Sequence, residues 1–93
     1  MLDELFAIIE DRKANPVEGS YTNKLLSGSE ARLAQKIGEE GVEVVVAALA
    51  QNNERVIEEM ADLFYHSLVL LSRRGLSLRD VEDELRKRHK PRG

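Results

Sequence analysis

Two short acidic stretches hold the residues that could do chemistry: Lys36-Ile37-Gly38-Glu39-Glu40-Gly41-Val42-Glu43 and Glu58-Glu59-Met60-Ala61-Asp62. At roughly 100° per residue, Lys36, Glu39, Glu40 and Glu43 fall on one side of a helix. Arg55, Glu59, Asp62 and His66 form a stripe on a second helix. Both helices are otherwise apolar, with Ile37, Val44, Val45, Ala48 and Leu49 on the first and Ile57, Ala61, Phe64, Leu68 and Leu71 on the second. Like charges three and four residues apart repel, and buried carboxylates need partners. A hard divalent cation supplies the missing positive charge, because it favours oxygen ligands.

One acidic cluster alone would read as a solvated helix face. The second repeats the spacing, Glu59 and Asp62 matching Glu40 and Glu43, and a short Gln51-Asn52-Asn53 turn lets the two helices pack antiparallel. That combination favours a metal site of Glu40, Glu43, Glu59 and Asp62. Di-iron bundles place His at the fourth position of such a motif. Asp here favours an all-oxygen site for Mg²⁺ or Mn²⁺. Lys36, one turn before Glu40, either offsets acidic charge or reaches a phosphate bridged to the metal. Tyr21, Thr22 and Lys24 are weaker candidates for ligand contact. His66 reads first as a hydrogen-bonded core histidine, then as a catalytic group, and last as a ligand. The run Arg86-Lys87-Arg88-His89-Lys90 reads as a solvated helix end ahead of a phosphate site.

The elements that must position these groups are helical. Leu2, Leu5, Phe6 and Ile9 predict a first helix over about 2–13, ended by Asn15-Pro16 because the residue before proline is pushed out of the α region. Val17 to Ser29 is rich in Gly, Ser and Asn and reads as a long loop of the kind that is often functional. Helices are expected over about 29–51, 54–74 and 77–89. Ser27 with Glu30 fits a capping box and Ser29 is a competing N-cap. Asn52-Asn53 supplies a turn and cap, Gly75 a C′ residue, and Ser77 a cap with Asp80 three residues on. The run Val44-Val45-Val46 suits a strand in isolation, but the helical pattern before it and the alanines after it overrule that. Gly38 and Gly41 each weaken their helix by ~1 kcal/mol relative to Ala, and close helix packing would be a reason to keep them. Lys90-Pro91-Arg92-Gly93 reads as a frayed tail. The expectation is an all-α bundle of four to five helices in a single domain over 1–93.

Ninety-three residues can bury a modest core, and association would help. Fourteen Lys+Arg against seventeen Asp+Glu argue against a general nucleic-acid binder. Absence of Cys excludes disulfides and thiolate–zinc chemistry. There is no Walker-type glycine loop. No apolar run approaches the ~20 residues that span a bilayer, and the acidic start Met1-Leu2-Asp3-Glu4 lacks the basic opening of a signal peptide. A cytoplasmic protein is expected.

Glu39-Glu40-x-x-Glu43 followed by Glu59-x-x-Asp62 resembles the signature of the all-α nucleoside-triphosphate pyrophosphohydrolases, the MazG-like superfamily. Ser20-Tyr21-Thr22, Lys36-Ile37-Gly38-Glu39-Glu40, Ala61-Asp62-Leu63-Phe64-Tyr65-His66 and Arg74-Gly75-Leu76-Ser77-Leu78 narrow the resemblance to the phosphoribosyl-ATP pyrophosphatase family of histidine biosynthesis. The resemblance runs nearly the whole chain. It implies Mg²⁺-dependent hydrolysis of phosphoribosyl-ATP to phosphoribosyl-AMP and pyrophosphate by a homodimer, with sites near helices of both protomers. It implies Glu40, Glu43, Glu59 and Asp62 as metal ligands, and Glu39 as an acidic group that binds a second metal or orients water. With neither the length nor the cysteines of the cyclohydrolase fused to many relatives, the chain is expected to be a stand-alone form. Two rival readings are a house-cleaning enzyme for non-standard nucleoside triphosphates and a non-catalytic helical module with a divalent-ion switch.

Overall fold

The computed structural model describes residues 1–89, and the expected frayed tail lies outside them. Five helices follow in order, α1 (Leu2–Ala14), α2 (Tyr21–Ser27), α3 (Glu30–Ala50), α4 (Asn53–Arg73) and α5 (Leu78–Arg88), and no strand occurs among the described residues. The all-α expectation is met, and four of the helices lie within about one residue of the expected bounds. Caps explain the accuracy. Ser29 accepts from the Arg32 amide, Asn52 from the Arg55 amide, and Ser77 with Asp80 forms a reciprocal capping box. Gly75, at φ +70°, closes α4 in a Schellman turn, its amide bonding Ser72 O while Leu76 N–H bonds Leu71 O.

The segment expected to be a loop contains α2. Ser20 caps it by accepting from the Asn23 amide. Asn23 ties it down, its Oδ1 accepting from Val17 N–H and its Nδ2 donating to Arg12 O. Leu25 is buried in the core. Polar residues that read as loop therefore cap and brace a short helix whose apolar side is only Leu25 and Leu26. Ser27 does not cap α3. Its hydroxyl donates back to Asn23 O, and Glu30 binds Arg74 instead.

The α3–α4 hairpin is the backbone of the fold. The apolar core of Ile9, Leu25, Leu33, Leu68 and Val69 sits where α1, α2 and α3 meet the second half of α4. Burying a side chain such as Ile9 contributes ~1.5–3 kcal/mol. Arg73 Nη1 donates to Leu25 O and Leu26 O, so the end of α4 holds the end of α2. A Cβ added at Gly38 or Gly41 would meet nothing within 4 Å. Close packing within the chain therefore does not account for either glycine. Beyond Leu78, which packs on the core, α5 buries no residue.

Candidate active site

Three of the four expected carboxylates converge. Glu40 and Glu43 come from adjacent turns of α3 and Glu59 from the facing side of α4, with one oxygen of each lying within 4.8 Å of the others. Glu40 and Glu59 are buried, at 6% and 5% exposure, and Glu43 is exposed. Asp62 lies outside this trio and is exposed, though its charge still acts on Glu59. Glu39 faces solvent and accepts from Gln35 Nε2 at 3.0 Å.

Two cations flank the trio without completing it. Lys36 Nζ lies 3.7 Å from Glu40 Oε1. Arg55 spans Glu58 and Glu59, donating through Nη2 to Glu59 Oε1. The second oxygens, Glu40 Oε2 and Glu59 Oε2, are buried with no hydrogen-bond partner. A buried, unpaired carboxylate oxygen is costly. Glu59 is pushed up to about 7, first by the neighbouring Glu43 carboxylate, to which only a protonated Glu59 can donate, then by desolvation and by the Glu43 charge, with Asp62 adding and Arg55 opposing. Such an all-oxygen donor set, with two oxygens lacking partners, fits a hard divalent cation.

Beside the trio, α2 and the start of α3 enclose a cleft of about 390 Å³ lined by Tyr21, Lys24, Ser29, Arg32 and Lys36. Lys24, Lys36 and Tyr21 were expected near a ligand. Arg32 was not, although Arg32, Lys36 and Glu40 recur every four residues on one face of α3. Thr22 is engaged elsewhere, its Oγ1 hydrogen-bonding the Tyr65 hydroxyl.

His66 is buried and hydrogen-bonded at both nitrogens, in line with the core reading. Nδ1 lies 2.7 Å from the Asp62 carbonyl, which can only accept, so Nδ1 carries the proton. Nε2 is then an acceptor for the Tyr21 hydroxyl at 3.0 Å. Tyr65 packs edge-on to His66, with ring centroids 5.1 Å apart. This cluster fastens α2 to α4 one turn from Asp62.

A hollow of about 620 Å³ is an apolar groove where Phe64, Leu68 and Leu71 of α4 meet Leu78, Val81 and Leu85 of α5. Its few charged neighbours, Asp3 and Glu82, offer no convergent set, so the acidic trio and its cationic cleft are the candidate site. In the basic run of α5, Arg86 pairs with Asp83 and Arg88 with Glu84, which fits a solvated helix end. No helix of the described residues is long and apolar enough to cross a membrane.

Known proteins match this sequence over nearly its whole length. Residues 2–89 match the family described as phosphoribosyl-ATP pyrophosphohydrolase. The phosphoribosyl-ATP pyrophosphatase of Metallosphaera sedula is 52% identical over 90 residues, covering 97% of each chain. That of Pyrobaculum aerophilum is 52% identical over 90 residues, 97% of this chain and 96% of its own. That of Clostridium acetobutylicum is 46% identical over 89 residues, 96% of this chain and 81% of its own. A family match over residues 2–89, with relatives about half identical over nearly the full length, places this chain in the phosphoribosyl-ATP pyrophosphohydrolase family.

Proposed function

We propose that this chain hydrolyses phosphoribosyl-ATP to phosphoribosyl-AMP and pyrophosphate, an early step of histidine biosynthesis, as a Mg²⁺-dependent homodimer of the cytoplasm. The observation that carries the reading is the pair of buried, partnerless oxygens on Glu40 and Glu59, beside a cationic cleft. Glu40, Glu43 and Glu59 would hold the ion, with Asp62 completing the set. Bound Mg²⁺ supplies charge neutralisation on the polyphosphate and lowers the pKa of a bound water.

The remaining chemistry belongs to this chain's own groups. The oxygen of a water forms a bond to phosphorus at the α–β anhydride. The bond from that phosphorus to the bridging oxygen breaks, and its electron pair leaves with pyrophosphate. Glu39, adjacent to Glu40 and outside the trio, accepts the water's proton. Lys36 donates a charge-assisted hydrogen bond to a phosphate oxygen. Tyr21, Thr22 and Lys24 place α2 against the substrate, Lys24 by charge and the other two by bracing the helix on His66 and Tyr65.

A dimer is supported by unspent apolar surface. Val42, Val45, Val46 and Leu49 form an exposed stripe on α3 with helical spacing, Leu49 being 83% exposed. The radius of gyration, 15.0 Å, exceeds the about 12 Å of a compact domain this long. A second copy is the partner such a stripe fits, and Val45→Asp should convert a sedimenting dimer to monomer. If wild type sediments as a folded monomer at micromolar concentration, the dimer is withdrawn.

Pyrophosphate release from phosphoribosyl-ATP, compared with a panel of nucleoside triphosphates, tests the activity. Preference for non-standard nucleoside triphosphates would give the site to a house-cleaning role. No release from any of them would leave a helical interaction module.

A further inference from the structure

We propose that the cleft between α2 and α3 holds the leaving pyrophosphate, and that Arg32 is its anchor at the end remote from the carboxylates. This rests on the pyrophosphohydrolase reading of the site. Arg32, Lys36 and Glu40 rise along one face of α3 at about 6 Å per step. Lys24 reaches the same cleft from α2. Among the described residues no carboxylate lies within 4 Å of Lys24 or Arg32, although Arg55, Arg74, Arg86 and Arg88 are each paired. Lys36 has only its long contact with Glu40. A chain with more acidic than basic residues thus leaves two cations unneutralised in one cleft, next to a third that is half engaged. The cleft also takes in Gly28 and Ser29, where the first turn of α3 adds the positive end of a 21-residue helix.

The order of charges along α3 decides which part of the substrate lies there. Phosphoribosyl-ATP has two anionic ends, the triphosphate and the phosphate of the second ribose. The β and γ phosphates continue directly from the scissile bond, so they must lie against the carboxylate trio. The other phosphate is separated from that bond by the whole adenosine. The cationic row begins at Lys36, in contact with Glu40, and runs away without a break, as a polyphosphate requires. Arg32 can take two phosphate oxygens in its fork, which Lys cannot. Because negative charge on the departing pyrophosphate grows as the bond breaks, these contacts strengthen in the transition state.

The test is Arg32→Gln in the full chain, with inorganic pyrophosphate and phosphoribosyl-AMP titrated separately by calorimetry at fixed free Mg²⁺. Pyrophosphate binding should weaken about tenfold or more, and phosphoribosyl-AMP binding should stay unchanged. Arg32→Lys should recover part of the loss. The Mg²⁺-induced rise in melting temperature should match wild type, since Arg32 stands two turns from Glu40. Unchanged pyrophosphate binding, or a loss confined to phosphoribosyl-AMP, would overturn the proposal while wild-type turnover keeps the functional reading intact. Absence of wild-type turnover on phosphoribosyl-ATP would remove that reading, and this proposal with it.

Discussion

Two polar clusters sit on the same helix, barely two turns apart, and they are built on opposite terms. Around His66 every polar group is answered. Nδ1 donates to the Asp62 carbonyl, Nε2 accepts from Tyr21, and Tyr65 pairs with Thr22. Around Glu59 the reverse holds, with three carboxylates gathered, two of them buried, and two oxygens unanswered. A satisfied polar cluster fixes one packing arrangement and asks for nothing more. An unsatisfied one raises the free energy of the chain alone and is relieved by what it binds. Both are buried histidine or carboxylate chemistry on α4, and only the hydrogen-bond ledger separates scaffold from site.

That contrast breaks cleanly under mutation. Glu59→Gln should lower turnover by about two to three orders of magnitude, because an interaction that stabilises transition-state charge is lost. The same variant should melt no lower than wild type in chelator, since one repelling charge is gone. Wild type should gain stability from excess Mg²⁺ by binding linkage and the variant should gain less. Should Glu59→Gln turn over normally and keep the full Mg²⁺ shift, the trio is not the metal site.

His66→Phe should do the opposite. It strips partners from Tyr21 and from the Asp62 carbonyl, costing about 1–3 kcal/mol in urea denaturation. The Mg²⁺ shift should survive. A lost Mg²⁺ shift in a folded His66→Phe protein would show that the two clusters act as one.

Titration offers a gentler probe. Glu59 is raised to about 7 in the protein without metal. The folded state therefore binds its proton more tightly than the unfolded chain does. This group's contribution is full below its ordinary value of 4.5 and is lost as pH rises through about 7. Melting in chelator should show that loss over pH 5–8, and Glu59→Gln should flatten it. A wild-type profile as flat as the mutant's would deny the tighter hold of Glu59 on its proton.

The smallest effect belongs to the rim. Arg74 binds Glu30 at both carboxylate oxygens and lowers its pKa, chiefly through that hydrogen bond. The pair's contribution is present above the ordinary carboxylate value and fades as pH falls below it. Glu30→Gln should shift the melting temperature little and leave turnover and the Mg²⁺ response alone. A large change would mean that this exposed pair positions the cleft.

Local rules sufficed wherever short-range geometry decides. Helix bounds were legible because Ser29, Asn52, Ser77 and Gly75 are caps whose partners lie within a few residues. The pairing of Glu40 and Glu43 with Glu59 was legible because a two-residue turn leaves a helix hairpin little choice of register. What the sequence could not decide is long-range. Helix α2 exists because Leu25 finds the core and Arg73, 48 residues away, holds its carbonyl. Arg32 lines a cleft because α2 folds back to wall it. His66 and Glu59 share a stripe; the sequence ranks the first as a core group and the second as a ligand, and the partner that α2 brings to His66 is what the tertiary structure adds. Periodicity assigns a side chain to a face. What stands opposite that face is set by tertiary packing, because burial and hydrogen-bond partners are properties of the pair of elements and not of either alone.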